Sequence, residues 1–459
     1  MGVLQQSHCM SSPEADLSDF VTTLTYDDVP TPGRKTIRRA FLDTIGVTLA
    51  GAVDDAGATA FETDQIDPAT TDATTLLGLT NTGLPTDRAF RTGTASHTLD
   101  YDDLSWAMDG HPSVTLVPPL LALADIAEAS GSDLITAYAA GFEVECALAK
   151  PISPKHYEAG WHATATFGSL GAAASAASLL GLTGSETRHA LNIAASMPAG
   201  LKRNFGSMTK PLHAGLCARS GVTATRLARE GFTADATAIS GDRGFWDLYG
   251  PTDRDEFVFA PDDWALTTEG IHIKYYPCCY FTHTSITATH AVVDEYDIDP
   301  MDIEEIQVRA AKGAADALPH SDPETGLEAK FSMEYTVASA AVRERVGLNA
   351  FDESALDDPD VQRIRERVDF GVDNNLHYDS HEAFVRIETT NGSYERRQEN
   401  PPGTHETPLT NAKLREKFDE CAYRAISEDK AAALADIFST LEDYDNIVVA
   451  VRDVAHPYI

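Results

Sequence analysis

Apolar residues recur with a helical period along most of the chain. Residues 36–51 place Ile37, Ala40, Phe41, Ile45 and Leu49 on one stripe, which predicts an amphipathic helix ending near Gly51. Similar patterns predict helices over 88–100, 117–129, 133–149, 163–180, 185–197 and 212–230. Because these segments are rich in Ala, Gly and Ser, their helices can pack closely, as in a large all-helical domain.

Two stretches interrupt this pattern. Residues 54–86 are rich in Thr, Asp and Gly, and we expect them to cross the surface as a loop. Residues 200–211, GLKRNFGSMTKP, contain two glycines and a proline. This composition predicts a second loop, lying between two buried helices.

The pattern changes after Leu266. Residues 303–310 alternate like a strand, and 383–397 form two alternating runs around Asn391-Gly392, a strong hairpin signal. Helical segments follow at 334–346, at 359–368 with Asp358 as N-cap, and at 411–440. We therefore expect a mainly α fold. A large all-helical domain, residues 1–268 and 405–459, carries an inserted α+β lid domain, residues 269–404.

The chain is strongly acidic, with 71 Asp and Glu against 35 Lys and Arg and a net charge of -36. Such a surface repels phosphate backbones, which argues against nucleic acid as a partner. It is typical of proteins from salt-loving cytoplasms, where high ionic strength screens self-repulsion. No apolar run approaches about 20 residues, and the N-terminus lacks the pattern of a signal peptide. We expect no membrane partner and a cytoplasmic location.

One stretch departs from this acidity. The 43 residues between Glu186 and Glu230 contain no Asp or Glu. Its cationic side chains are Arg188, Lys202, Arg203, Lys210, Arg219, Arg226 and Arg229, accompanied by His189 and His213. Fixed cations in an apolar setting bind carboxylates or phosphates strongly, so we expect a site for an anionic ligand. A pair of helices that is basic by chance is the alternative.

Four local clusters contain residues that are candidates for catalysis or substrate binding. They are Asp100-Tyr101-Asp102-Asp103 followed by His111, Trp161-His162, the Lys202-Arg203 and Lys210–His213 group, and Lys274 to Cys279 with His283. Together they suggest proton transfer next to a carboxylate, because cations stabilise the charge that builds on that carboxylate. We expect Arg203, Lys202, Lys274, Cys279 and His283 to contact a small anionic dicarboxylate or tricarboxylate.

The chain shows no phosphate-binding loop, dinucleotide fingerprint or metal-ligand spacing, and its six cysteines are scattered. We therefore expect no metal and no cofactor. Each cluster also has a purely structural interpretation. His162 can belong to a helix start, His111 can order a turn before Pro112, Cys278 and Cys279 can be buried small residues, and the acidic turn can be solvated.

Several motifs resemble one known family. They are LDTIGVTLAG at 42–51, HTLDYDD and GHPSVTLVP at 97–118, WHATATFGSLGAAASAA at 161–177, NFGSMTKPLHAG at 204–215 and KYYPCCYFTH at 274–283. In this order they resemble the MmgE/PrpD family, which includes 2-methylcitrate dehydratase, cis-aconitate decarboxylase and iminodisuccinate epimerase. The resemblance extends from Leu17 to the C-terminus.

The resemblance implies a helical domain with a lid, a homodimer, and a metal-free active site in the cleft between domain and lid. Asp100, His111, His162 and Lys210 fall on active-site positions of the family, in the motifs LDYDD, GHPS, WHAT and TKPLHAG. Tyr335, in FSMEYTVA, matches a tyrosine that the family brings to the site from the lid.

The chain departs from the decarboxylase branch at two positions. Leu104 stands where that branch has Thr, and Cys279 stands where it has His, although His283 matches another histidine slightly downstream. The spacing between Asp100 and His111 also differs from that of the decarboxylase and dehydratase branches. The substrate geometry therefore need not be that of either enzyme, and decarboxylation of cis-aconitate is the least favoured reaction.

The leading hypothesis is a hydro-lyase of the 2-methylcitrate dehydratase type, belonging to propionate metabolism and acting on a small tricarboxylate. His162 and Asp100 are candidates for proton transfer, His111 and Lys210 for binding carboxylates, and Tyr335 for orienting the substrate. The enzymatic rival is an epimerase or isomerase of a small dicarboxylate, which uses the same carbanion chemistry. A non-catalytic ligand-binding homologue is the third alternative.

Overall fold

Helices dominate the part of the chain that precedes the expected lid. The computed structural model describes residues 12–80, 83–250, 257, 259 and 263–455. Its helices up to residue 268 are α1 (Pro13–Thr23), α2 (Thr31–Ala52), α3 (Asp55–Glu62), α4 (Ala73–Leu76), α5 (Pro85–Thr98), α6 (Ser113–Ala127), α7 (Gly131–Ala149), α8 (Lys155–Glu158), α9 (Ala163–Leu179), α10 (Gly184–Ala194), α11 (Thr209–Arg229), α12 (Phe245–Tyr249) and α13 (Ala265–Thr268).

Helix α9 lies at the centre of this helical part, between α7 and α11. Small side chains make this packing possible, since glycines allow the backbones of crossing helices to approach. A Cβ at Gly221 on α11 would lie 2.5 Å from the carbonyl carbon of Ala172 on α9, and one at Gly215 would lie 2.5 Å from the Phe90 carbonyl oxygen on α5. Among the described residues, no helix is both long enough and apolar enough to cross a membrane.

The two predicted loops are partly wrong. Within 54–86 the chain forms α3 and α4, and Ala73, Leu76 and Leu77 are buried in the helical core. Burial against neighbouring helices outweighs the turn-forming composition of this stretch. In the second stretch, α11 already begins at Thr209, so Lys210 lies in its first turn and not in a loop. Pro211 is compatible with that position because the first turn needs few backbone N–H donors.

The expected lid contains a four-stranded sheet and helices. Its elements are α14 (His283–Tyr296), β1 (Ile303–Ala310), α15 (Lys312–Ala317), α16 (Gly326–Ala329), α17 (Met333–Val342), α18 (Glu353–Leu356), α19 (Pro359–Arg365), β2 (Val368–Val372), β3 (Ala383–Thr389) and β4 (Gly392–Gln398). The strand order is β2-β1-β3-β4, with β1 parallel to β2 and antiparallel to β3. The structure thus confirms a mainly α fold with a smaller α+β part.

The hairpin predicted around Asn391 is confirmed as β3 and β4. Its turn differs in register, since Thr389 pairs with Gly392 and leaves Thr390-Asn391 as the two-residue loop. The Thr389 hydroxyl oxygen accepts hydrogen bonds from the backbone N–H groups of Asn391 and Gly392, both at 3.1 Å. This side chain therefore closes the turn.

The chain after the lid forms three helices, α20 (Asn411–Ala422), α21 (Glu428–Ser439) and α22 (Ile447–Ala455). They pack on the helical part. Helix α20 lies along α2, where Gly46 makes room for Phe418. One hydrophobic core joins this C-terminal segment to the N-terminal helices, and a second core belongs mostly to residues 276–387. The domain boundaries at residues 268 and 404 stay a prediction.

Candidate active site

A left-handed turn after α5 presents the Asp100 carboxylate to two lysines. The φ angle of Asp100 is 51°. Lys210 Nζ, from the first turn of α11, lies 2.6 Å from Asp100 Oδ1, and Lys274 Nζ lies 2.9 Å from the same oxygen. All three side chains are buried. Although burial opposes ionisation, the two ammonium groups hold the pKa of Asp100 far below its usual range.

A second carboxylate, Asp102, lies beside two histidines. His97 Nδ1 is 2.9 Å from Asp102 Oδ1, and His111 Nδ1 is 2.8 Å from Asp102 Oδ2. Since an ionised carboxylate only accepts hydrogen bonds, both histidines place their proton on Nδ1. His97 Nε2 then accepts a hydrogen bond from Lys210 Nζ at 3.0 Å. The Nε2 of His111 remains available as an acceptor.

His162 and His213 form a third pair. His162 is the N-cap residue of α9, and its Nδ1 lies 3.0 Å from Nδ1 of His213 on α11. One of the two nitrogens must carry the proton. His162 Nε2 is buried and has no hydrogen-bond partner among the described residues. It is therefore open to a ligand in the adjoining cavity.

These groups surround one cavity of about 80 Å³. This volume is several times the space that a buried water molecule needs. Its polar side mainly comprises Asp100, His111, His162, Lys210 and Lys274. The other lining residues are Leu104, Trp106, Asp109, Gly110, Pro154, Tyr157, Phe205, Cys279, Tyr280, Phe281, Phe331, Tyr378, Asp379 and His381. The cavity thus combines fixed charges on one side with a largely apolar and aromatic wall.

Burial keeps the histidines of the site neutral. Desolvation lowers the pKa of His97 to about 3 and that of His213 to about 4. It also lowers the pKa of His162 well below its usual value. The pKa of His111 is lowered by burial too, but the Asp102 carboxylate counteracts this effect. Near neutral pH these shifts favour the neutral rings, whereas Asp100 raises the pKa of Lys274 against the effect of burial and favours its charged form.

Lys210 and Lys274 each have one N–H donor without an acceptor among the described residues. An ammonium group has three N–H donors. Lys210 uses two of them on Asp100 and His97, and Lys274 uses two on the carboxylate and backbone oxygens of Asp100. One donor therefore remains on each lysine. Because both Nζ atoms contact the same Asp100 oxygen, a single ligand carboxylate can accept from both.

The same cluster has a spacing that a metal ion could use. Nitrogens of His97, His111 and His162 lie within 4.8 Å of one another. However, both ring nitrogens of His97 are already engaged, and the Lys210 ammonium lies 3.0 Å from its Nε2. A divalent cation would have to displace this ammonium, so the arrangement suits an anion better.

Most of the predicted site residues meet at the cavity. Asp100, His111, His162, Lys210 and Lys274 form its polar side, as described above. Cys279 also lines the cavity, and burial raises the pKa of its thiol to about 11. Leu104, which stands at one of the positions where the chain departs from the decarboxylase pattern, belongs to the apolar wall.

Four predicted residues do not line the cavity. The Tyr335 hydroxyl donates to the Ala350 carbonyl oxygen within the lid core. His283 is buried with Nε2 3.2 Å from the Cys278 carbonyl oxygen. Lys202 donates to the Tyr157 carbonyl oxygen at 3.2 Å, and Arg203 is exposed. Their predicted contacts with the substrate have no support in this geometry.

Comparison with known proteins agrees with this architecture. Residues 15–257 match the MmgE/PrpD N-terminal domain, and residues 276–443 match the MmgE/PrpD C-terminal domain. The chain belongs to the MmgE/PrpD family. The two matches together cover the helical part and the lid, so the family extends over nearly the whole chain.

Curated relatives of this MmgE/PrpD protein include several decarboxylases. Cis-aconitate decarboxylase of Mus musculus is 29% identical over 450 residues, covering 92% of this chain and 89% of the relative. The enzyme of the same name from Homo sapiens is 28% identical, covering 90% of this chain and 88% of the relative. Cis-aconitate decarboxylase of Aspergillus terreus is 24% identical, with coverages of 96% and 95%. The relatives are therefore lyases of small carboxylates.

Three further residues of the candidate site, His97, Asp102 and His213, were not among the predicted site residues, although Asp102 and His213 lie in the candidate clusters. His97 and Asp102 both lie in the HTLDYDD motif, but nothing in the sequence distinguishes Asp102 from the other acids of an acidic chain. His213 follows Lys210 by three residues, which places both on one face of α11. The helical spacing was thus the available signal for His213.

Proposed function

We propose that this protein is a lyase that acts on a small tricarboxylate or dicarboxylate by proton transfer next to a carboxylate. The observation that carries the proposal is the convergence of two lysines and two neutral histidines on one cavity. Lyase chemistry of this kind needs a fixed positive charge beside a group that can accept a proton. The cavity provides both from this chain alone.

The lysines bind the substrate. Lys210 and Lys274 each donate their remaining N–H to one carboxylate of the substrate, which lies next to Asp100. When a proton is removed from the adjacent carbon, negative charge moves onto that carboxylate. The two ammonium groups stabilise this charge without reorganisation, because Asp100 and His97 already hold Lys210 in place.

His111 is the best-placed base. Its Nδ1 lies 2.8 Å from both the Asp103 carbonyl oxygen and Asp102 Oδ2, which leaves Nε2 to take the proton, and the Asp102 carboxylate stabilises the imidazolium that forms. Asp100 is a weaker candidate for proton transfer, because the two lysines depress its pKa. This assignment differs from the expectation that His111 binds a carboxylate. His162 Nε2, which faces the cavity without a partner, exchanges the second proton at the leaving group or at the product carbon.

Two reactions fit this arrangement. The first is loss of water from a hydroxylated tricarboxylate of the 2-methylcitrate type, in which His162 Nε2, with the proton of the neutral ring on it, donates to the leaving hydroxyl. The second is loss of carbon dioxide, which is supported by the names of the curated relatives. It is also supported by the apolar wall of Leu104, Phe205 and Phe331, because desolvation of a carboxylate favours its departure as carbon dioxide.

Proton NMR in deuterium oxide tests the proposal on a panel of dicarboxylates and tricarboxylates that includes 2-methylcitrate, citrate and cis-aconitate. Dehydration gives an alkene signal with ultraviolet absorption, and decarboxylation gives carbon dioxide. Exchange of a C–H for deuterium without either product indicates an epimerase. His111→Gln should abolish every one of these signals. A stable wild-type protein that turns over and exchanges no member of the panel would refute the proposal.

A further inference from the structure

Three consecutive backbone carbonyls at the active-site turn each accept a hydrogen bond from a different buried lysine. Lys330 Nζ donates to the Leu99 carbonyl oxygen at 2.9 Å, and Lys274 Nζ donates to that of Asp100 at 2.8 Å. Lys417 Nζ donates to that of Tyr101 at 2.6 Å. We call Lys274, Lys330 and Lys417 the lysine clamp. Its members come from three distant parts of the chain.

The Lys417 ammonium contacts three oxygen atoms. Besides Tyr101 O, it contacts the Lys274 carbonyl oxygen at 2.9 Å and Asp43 Oδ1 on α2 at 2.7 Å. It also lies 4.0 Å from the centre of the Tyr101 ring. This one group therefore joins α20 and α2 to both backbone segments that carry the active-site ion pair.

Lys330 makes the corresponding contact from the lid. It follows α16 directly and is buried, with its ammonium group 6.0 Å from the centre of the Phe351 ring. Its own carbonyl oxygen accepts a hydrogen bond of 2.9 Å from the backbone N–H of Cys279, which lines the cavity. Lys330 thus joins the turn at Asp100 to the backbone of a cavity-lining residue.

The turn needs external support because of its backbone conformation. A positive φ is unfavourable for a residue with a Cβ, although Asp tolerates it better than most, and it persists where the surroundings hold it. Asp100 has such a φ, and its neighbours Leu99 and Tyr101 present their carbonyls to the clamp. A buried carbonyl that accepts from an ammonium group is strongly fixed, since charge-assisted hydrogen bonds are about twice as strong as neutral ones.

We propose that Lys330 and Lys417 are positioning residues for Asp100. With Lys274 they hold the left-handed turn that directs the Asp100 carboxylate to Lys210. Neither residue lines the cavity, so they act on a bound substrate only through the turn. This inference rests on the proposed function only where it refers to turnover. The conformational part, fixation of residues 99–101, stands independently.

Lys417→Met and Lys330→Met test the clamp in the full-length protein. Because Lys417→Met leaves Asp43 buried without its partner, the double variant Lys417→Met/Asp43→Asn is measured beside it. Two control variants lie on α20: Lys413→Met makes the same change at an exposed site, and Phe418→Leu weakens packing beside Lys417. Each variant is examined by hydrogen–deuterium exchange of the 97–103 segment, by thermal melting and by steady-state kinetics.

Clamp variants should exchange the 97–103 segment roughly tenfold faster than wild type, whereas exchange in α7 and α9 stays unchanged. They should lower kcat by about 100-fold with little change in KM, as expected for a misplaced group that stays in the site. Phe418→Leu should lower the melting temperature and leave kcat intact, and Lys413→Met should change neither.

Two results would overturn the inference. One is wild-type exchange of the 97–103 segment in both clamp variants. The other is faster exchange with an unchanged kcat, which would make the clamp a purely structural device. If wild type shows no activity on any carboxylate, the proposed function fails, but the exchange measurements still decide whether the clamp fixes the turn.

Discussion

His111 Nδ1 lies 2.8 Å from Asp102 Oδ2, and this carboxylate is completely buried. The contact assigns the proton of the neutral ring to Nδ1 and leaves Nε2 as an acceptor. The same carboxylate contacts His97 Nδ1 at 2.9 Å, which lets His97 Nε2 accept from Lys210. One aspartate therefore fixes the tautomers of two rings with different roles.

Asp102→Asn should lower kcat by about 100-fold or more, because the base loses both its orientation and the stabilisation of its imidazolium form. Asp102 raises the pKa of His111 against the effect of burial. Its removal should therefore lower that pKa further, and the acid limb of the kcat/KM profile should move to lower pH. Steady-state kinetics across the pH range measures both effects.

Asp103→Asn is the matched control. Burial raises the pKa of Asp103 well above its usual value, which favours the neutral carboxyl. Asn preserves its size and neutrality beside Ser113, and kcat should stay close to wild type. Equal losses in the two variants would contradict the assignment of Asp102.

Lys210→Ala should lower kcat/KM by about 100- to 1000-fold, equivalent to roughly 3–4 kcal/mol of lost transition-state stabilisation. The fold should persist, because Asp100 keeps Lys274 as an ionic partner. Turnover per folded molecule and the melting temperature are measured on one preparation. A stable Lys210→Ala protein with normal turnover would exclude the anion-binding role.

Lys210→Arg should not restore activity fully, since a planar guanidinium cannot reproduce the contacts of a compact ammonium with Asp100 and His97. Lys202→Ala supplies the comparison from the same basic stretch. Lys202 lies over the Tyr157 ring with Nζ 3.5 Å from the ring centre, and outside the cavity lining. Its loss should leave kcat unchanged; a loss like that of Lys210→Ala would place it in the site after all.

The variant Tyr335→Phe distinguishes two expectations. The family resemblance gives Tyr335 a role in orienting the substrate, whereas the geometry gives it a role in stability. The hydroxyl donates to the Ala350 carbonyl oxygen and also interacts with Ser339 and Arg343, all of which lie in the lid. Its removal should cost about 1–3 kcal/mol of stability, because a buried acceptor loses its donor. Denaturant unfolding should show this loss while kcat stays at the wild-type value. A reduced kcat with unchanged stability would instead support a role in orienting the substrate.

Potassium chloride should raise the melting temperature of this protein. Its net charge is -36, and its acidic side chains repel one another when salt does not screen them. The screening length falls from about 10 Å at 0.1 M to about 3 Å at 1 M, so most of the rise should occur in this range. Sodium chloride at equal ionic strength should act similarly. A melting temperature that does not depend on salt would remove the interpretation of a salt-adapted protein.

Periodicity in the sequence was enough to predict the long helices and β1, whose observed bounds, Ile303–Ala310, are those expected. It missed β2 (Val368–Val372), a short strand that is defined by pairing with β1 and lacks an alternating pattern of burial. It also missed the helices within 54–86. In these places contacts between distant segments, which no local pattern records, determine the structure.

The candidate site was predictable to the extent that its residues lie in distinctive motifs. Asp100, His111, His162 and Lys210 were found in this way, and the structure brings them together. Lys330 and Lys417 were not found, because their partners are backbone carbonyls and a carbonyl has no sequence signature. Tyr335 shows the converse case, in which a matching motif lies away from the cavity in this chain.

The contact between Lys417 and Tyr101 also has a consequence for biosynthesis. The two residues are separated by 316 positions, and the ribosome releases Tyr101 long before Lys417. The nascent chain must therefore carry the turn at Asp100 without its C-terminal support while the intervening helices and the sheet emerge. Closing so long a loop is a late event in folding. A chain that stops before α20 should accumulate as an incomplete intermediate, and the turn at Asp100 should gain this support only after α20 has emerged from the ribosome.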